Sequence, residues 1–336
     1  MKILIAIDSI LPAKKYGGIE RAVVWLKSAL IELGHDVKLA CRLAPGGAID
    51  PELAGAELVE WPQSTDDWKK ISRSMDIVHF FSIPPAEFPF SIPYLSTVQG
   101  NGKLGEVFLP NTLFISRDHA ARHDWSEFVY NGLNIAEYPL YEGDRDPALL
   151  FLAKARWRVK NLKGALQISG RARRPYWVIG GKRPITWWGL MATHAKFFGE
   201  IGGSQKLDLI QRSSALLNPI QWEEPFGIAV IEAMACGTPV IASRRGSMPE
   251  IISLDSGRTC ETQSDYMLAI ADLVKFNDPQ KVRARVREKF THIHMANGYL
   301  AYYQRILRDG KLREGQPRTL GRPTDPLRNL KKHASR

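Results

Sequence analysis

The sequence predicts an α/β protein of two doubly wound, Rossmann-like domains, and three observations carry that prediction. Short apolar runs alternate with helical periods along most of the chain, the rhythm of mostly parallel sheets covered on both faces. The rhythm breaks at residues 142–147, Glu-Gly-Asp-Arg-Asp-Pro, and then restarts. The length of 336 residues and a hydrophobic content of 44% suffice for two packed cores.

Residues 1–7 read as a first buried strand. Gly17 and Gly18 precede a helix over 19–33, because Ile19, Val23, Leu26, Leu30 and Leu33 recur at helical spacing. Gly34 ends it. Strands follow at 37–40, 57–60, 77–81, 94–98, 113–115 and 128–130. Residues 141–147 read as the linker between a domain over 1–140 and a second over 148–292. The second set of strands is 149–153, 176–179, 215–217 and 240–242. A last helix over 293–310 carries Tyr299, Tyr302 and Tyr303. Residues 311–336 hold eight Lys/Arg against two acidic residues and three prolines, and are expected to form a disordered basic tail. Doubly wound sheets take ligands outside the carboxyl ends of their strands, so a deep cleft between the domains is the expected site.

Composition narrows the function. No apolar run approaches the roughly 20 residues that cross a bilayer. The opening strand is too brief for a signal peptide. Cys41, Cys236 and Cys260 are an odd set without metal-ligand spacing, which points to reduced core thiols and a cytoplasmic protein. The net charge is +11. Part of it lies in the tail, which suits peripheral contact with an anionic membrane. Part lies in residues 154–183, with ten basic residues and no acidic one. Such a patch in a folded domain suits a polyanionic ligand.

The most specific stretch runs from Trp222-Glu223-Glu224-Pro225-Phe226-Gly227-Ile228 through Glu232 to Gly237-Thr238-Pro239-Val240. Glu224 and Glu232 stand eight positions apart, one before an apolar helix over 228–236 and one about two turns into it. Gly237 occupies the place of a helix-ending glycine. The amides at the helix mouth suit an anion or an oxygen-rich ligand.

This stretch closely resembles the donor-site motif of retaining glycosyltransferases of family 4, which have the GT-B architecture. The resemblance covers about the first 305 residues and is loose in the first domain. It implies transfer of a sugar from a nucleotide-diphosphate sugar to an acceptor hydroxyl, with the anomeric configuration kept and no metal or other cofactor. By position, Glu224 would hold sugar hydroxyls and Glu232 ribose hydroxyls. Phe226, Gly227 and Ile228 would offer backbone groups to sugar and phosphate. Gly17-Gly18-Ile19-Glu20 matches the family's glycine loop beside the donor phosphates. Gly180, Phe198 and Gly199 match places where the backbone wraps the nucleobase, and Trp187 and Trp188 between them are candidates for base stacking.

The family's cationic clamp, an arginine and a lysine that neutralise the leaving diphosphate, is altered here. Ala153-Lys154 replaces Gly-Arg, and the spacing to Lys160 is one residue longer. Lys160 takes the lysine role, and either Lys154 or Arg156 takes the arginine role. Where the family often has a histidine, this chain has Gln99, which hydrogen-bonds but carries no proton at neutral pH. His79 is either a core histidine or a cleft-facing group. The acceptor, whether glycan, lipid or small molecule, is not readable. A related GT-B enzyme, a phosphorylase or nucleotide-sugar epimerase, is the alternative. A nucleic-acid-binding protein is the less favoured one, because no nucleic-acid motif accompanies the basic patch; nucleic acid is therefore not expected as a partner.

Overall fold

Each half of the chain builds a six-stranded parallel sheet in a computed structural model that describes residues 1–11, 17–43 and 51–320. The described chain divides into one unit of Met1–Asn134 with the residues from Phe290 onward, and another of Ile135–Lys289.

In the first unit the elements run β1 (Lys2–Leu11), α1 (Gly18–Glu32), β2 (Asp36–Leu43), β3 (Glu57–Glu60), α2 (Thr65–Ser72), β4 (Ile77–Phe80), β5 (Tyr94–Thr97), β6 (Thr112–Leu113) and α3 (Arg117–Ala121). The sheet order is β3-β2-β1-β4-β5-β6, all parallel. Residues 3–7 of β1 and all of β4 are buried because both faces of the sheet are covered there. On one side Trp68 of α2 packs among Trp61, Phe80 and Phe88, with ring centroids 5.3 to 5.5 Å away.

The second unit repeats the plan with β7 (Asp146–Leu152), α4 (Leu162–Arg171), β8 (Tyr176–Ile179), α5 (Trp187–Met191), β9 (Ala195–Gly199), α6 (Gly203–Arg212), β10 (Ser213–Asn218), α7 (Ile228–Ala235), β11 (Val240–Ser243), α8 (Met248–Ile251), β12 (Gly257–Cys260), α9 (Gln263–Ala271) and α10 (Pro279–Lys289). Its order is β12-β11-β10-β7-β8-β9. The strand order reverses between β10 and β7, which makes the crevice above their carboxyl ends the natural ligand position. Leu149, Phe151, Leu166, Tyr176, Val178, Leu217 and Ile241 fill the core below. Helix α11 (His292–Asp309) belongs to the first unit and packs on α1.

Several expectations change. Residues 128–130 form no strand: Phe128 makes a single bridge to Phe114, and the Phe128 and Tyr130 rings pack against each other at 5.1 Å instead. The units divide at 134/135, ahead of the expected linker, because residues beyond Ile135 already pack on the second unit. Arg145 within the expected linker donates to Thr238 Oγ1 (2.7 Å) and Ser213 O (3.2 Å). The ordered chain also continues past 310. Leu312 is buried, and Arg318, Thr319 and Leu320 donate backbone N–H groups to the carbonyls of His123 (2.8 Å), Glu106 (2.9 Å) and Arg122 (3.0 Å). The rest of the expected tail, 321–336, lies outside the described residues. Among the described residues, no helix is long and apolar enough to cross a membrane.

Candidate active site

The loops after β7 and β10 are sewn together above the point where the strand order reverses. Asn161 caps α4 through Gly164 N (3.1 Å) and donates its Nδ2 to Pro219 O (2.8 Å). Gln221 N donates to Val159 O (2.7 Å). These bonds bring Lys160 to Glu224, with Nζ 2.6 Å from Oε2. The Trp222 indole N–H donates to the same oxygen, also at 2.6 Å. Its ring lies under the Lys160 ammonium, 4.8 Å from the centroid. Glu224 is thus a largely buried carboxylate held by one cation and one neutral donor.

Below the pair, the 224–228 turn is fixed by the next loop. Ser247 donates N–H to Glu224 O (3.0 Å) and its hydroxyl to Phe226 O (2.8 Å). Glu223 accepts from Gly246 N (2.6 Å) and Arg245 (3.2 Å). The side chain of Phe226 is buried, whereas Gly227 and Ile228 are partly exposed. Gly227 starts α7 at φ +95°, where a side chain would be strained, and a Cβ would meet Met248 Cε at 2.8 Å. The first N–H groups of a helix lack intrahelical partners, so α7 opens an anion-favouring end beside Glu224. Helix α7 then closes as expected: Gly237 N bonds Met234 O (2.9 Å) and Thr238 N bonds Ala233 O (2.9 Å).

The ends of β7, β8 and β9 continue the rim. Gly180 (φ +108°) donates to Gly199 O (2.7 Å), and its O accepts from Ala155 N (2.9 Å). A Cβ there would lie 2.0 Å from Ala153 O, so the strand ends close only around glycine. Phe198 is half-buried, packed edge-on to Trp177 at 6.2 Å with Lys196 Nζ 5.0 Å from its ring. Lys154 and Arg156 are exposed, and Lys154 Nζ lies over the Trp157 ring at 4.8 Å. A cavity of about 730 Å³ opens alongside, lined by Asn161, Lys163, Gln221, Glu223, Arg245 and Tyr266 among others. Neither Lys160 nor Glu224 lines it.

Glu232 departs from the ligand-facing position expected for it. It is 0% exposed, and its Oε1 accepts from Lys206 Nζ (2.8 Å) and from the Tyr138 hydroxyl (2.7 Å). The two acids therefore have different partners: Glu224 sits at the strand-end crevice and Glu232 inside the unit. Sequence reasoning missed Lys206 and Tyr138, and it gave no role of their own to Asn161 or to Trp222, which it named only as the start of the motif. Lys206 carried a signal, since it shares the inward face of α6 with Leu209 and Ile210 at helical spacing.

In the first unit, Gly17 and Gly18 are partly exposed at the start of α1, whose Glu20 accepts from Ser9 Oγ of β1 (2.9 Å). His79 is a core residue. Its ring bonds the Tyr303 hydroxyl (2.7 Å) and Thr97 Oγ1 (2.8 Å), and burial lowers its pKa to about 3. Gln99 and Asn131 exchange reciprocal amide bonds of 3.3 and 3.0 Å. All three cysteines are free and buried. Burial pushes Cys41 up to about 11 and Cys236 and Cys260 up to about 12, which leaves them unreactive thiols.

Two solved structures match along nearly the whole described chain. One is a glycosyltransferase involved in avilamycin A biosynthesis (TM-score 0.73, 22% identity, 92% of this chain and 98% of that one). The other is sucrose-phosphate synthase from Thermosynechococcus elongatus (TM-score 0.68, 16% identity, 92% and 100%). The fold is that of the GT-B glycosyltransferases. Residues 189–291 match the family model "Glycosyl transferases group 1". Over 107 residues the chain is 34% identical to N-acetyl-alpha-D-glucosaminyl L-malate synthase of Bacillus anthracis, covering 29% of this chain and 28% of the relative. Over 170 residues it is 30% identical to phosphatidyl-myo-inositol mannosyltransferase of Propionibacterium freudenreichii, covering 46% and 43%. The matches thus span less than half the length of these curated relatives.

Proposed function

We propose that this chain is a retaining glycosyltransferase that moves a sugar from a nucleotide-diphosphate sugar to an acceptor hydroxyl. The observation that carries the proposal is the Lys160–Glu224 pair at the strand-order reversal, beside the amide end of α7. The group 1 match over 189–291, which contains Glu224, supports it.

The chemistry follows from charge. The glycosidic C–O bond to the diphosphate breaks, and its electron pair leaves on a phosphate oxygen. The acceptor oxygen forms the new bond on the same face, and its proton passes to that phosphate oxygen. Negative charge grows on the leaving group, where the Lys160 ammonium and the first amides of α7 stabilise it. Exposed Lys154 and Arg156 add cations from the same loop, so no divalent metal is needed. Glu224 accepts hydrogen bonds from sugar hydroxyls, oriented by the Trp222 indole. Glu232, buried on Lys206, supports α7 in this arrangement; a ribose contact requires that pair to open. Residues 180 and 198–199 line the base side.

An Anabaena structure of the same fold, 13% identical, was solved in complex with UDP-glucose, so UDP-sugars are the first donors to try. Calorimetry with nucleoside diphosphates tests the phosphate role directly. Lys160→Ala should weaken binding by at least about tenfold, the equivalent of one lost charge-assisted bond. Unchanged affinity would remove Lys160 from the site. Turnover that survives EDTA, and a product with the donor's anomeric configuration, are the matching expectations for metal independence and retention.

A further inference from the structure

Helix α5 turns an apolar cluster outward. Ile185, Trp187, Leu190 and Met191 are 95, 72, 60 and 74% exposed. Single exposed apolar residues are ordinary, but four large ones within one turn and its approach are a surface feature. Hydrogen bonds tie the helix down at both ends. Thr186 caps the helix through Gly189 N (3.3 Å), and the Arg183 guanidinium donates to the carbonyls of Gly189 (2.9 Å) and Ala192 (2.7 Å). The two tryptophans part ways. Trp188 packs on the core of the second unit, while Trp187 stands outside with Lys163 Nζ 5.7 Å from its ring.

The stretch of chain that carries the knob is basic. Residues 147–199 contain eleven Lys/Arg and no Asp or Glu. Lys163, beside Trp187, is exposed, and so is Lys182, three residues before Ile185. An outward tryptophan with aliphatic neighbours suits the headgroup level of a bilayer, and lysines around it suit anionic lipid. A protein partner fits less well, since lysine is depleted at protein interfaces.

We propose that the α5 knob of the second unit is a peripheral docking surface for an anionic membrane. Trp187, Leu190 and Met191 enter the headgroup region, and Lys163 and Lys182 meet lipid phosphates. This docking calls on no residue of 321–336, and it does not depend on sugar transfer.

Vesicle flotation of the full chain tests it, with phosphatidylcholine alone and with phosphatidylglycerol added. The wild-type chain should float with the anionic vesicles only. A triple variant, Trp187→Ser with Leu190→Ser and Met191→Ser, should keep its melting temperature and lose about tenfold or more of that binding. Lys163→Glu with Lys182→Glu should lose binding to a similar degree, which guards against misfolding of the triple variant. Truncation after Leu320 should preserve most of it. The proposal is overturned if the wild type does not float or floats equally with both vesicles. It is also overturned if both sets of variants bind as the wild type does, or if the truncation alone abolishes binding. Loss of self-association in the triple variant, with flotation intact, would overturn it in favour of a protein interface.

Discussion

Lys206 and Glu232 form a 2.8 Å ion pair although their side chains are only 5% and 0% exposed. Burying two charges is costly, and each becomes far more costly alone. Helices α6 and α7 are thereby tied through charge as well as packing.

Removing one partner should therefore hurt more than removing both. Lys206→Met or Glu232→Leu alone should destabilise the second unit by about 3–5 kcal/mol, whereas the double variant should recover much of that loss. Chemical denaturation of the three variants reads the difference. Equal, small losses in the single variants would show that Glu232 reaches water and is available to a ligand.

Truncation at two points tests how residues 311–320 anchor to the first unit. Ending the chain after Leu320 should leave the melting temperature of that unit unchanged. Ending it after Gly310 removes buried Leu312 and the backbone bonds to Glu106, Arg122 and His123, and should lower it. Leu312→Ala alone should cost about 2–5 kcal/mol, the range for emptying a buried leucine site. A thermal melt of each truncation is the check.

His79 gives the first unit an acid sensitivity. Its folded pKa of about 3 lies below the ordinary value of 6.5. The unfolded chain therefore binds a proton that the folded chain refuses between these values, and stability falls as pH drops from about 6.5 toward 3. Burial acts on His119 in the same direction. His79→Gln should flatten the slope of stability against pH in that window by up to about 1.4 kcal/mol per pH unit. An unchanged slope would mean that another group sets it.

What the sequence disclosed follows physical locality. Strand β8, the apolar helix α7 and its Gly237 stop were legible because their determinants are consecutive residues. The Lys160–Glu224 pair was half legible: both residues were named, but their contact depends on two loops 64 residues apart meeting above adjacent strands. The burial of Glu232 was illegible from the motif alone. Its partners lie 26 and 94 residues upstream, and a carboxylate two turns into a helix looks alike whether it meets a ligand or a lysine. Strand β12, Gly-Arg-Thr-Cys, offered no apolar run, since its pairing with β11 is made by the backbone. The segment 311–320 looked like a tail because its charge outweighs its few apolar residues. Its order comes from backbone bonds to the loop after β5 and to the end of α3, which composition does not reveal.

The central claim is that Lys160 and Glu224 are the groups that hold and discharge an activated sugar. Turnover measured across UDP-, GDP-, ADP- and dTDP-sugars, for wild type, Lys160→Ala and Glu224→Gln, tests it most directly. With an active donor, each variant should lose about 10²–10³-fold in kcat/KM while keeping its melting temperature, the scale of one lost electrostatic contact in a transition state. Full turnover in both folded variants would contradict the claim.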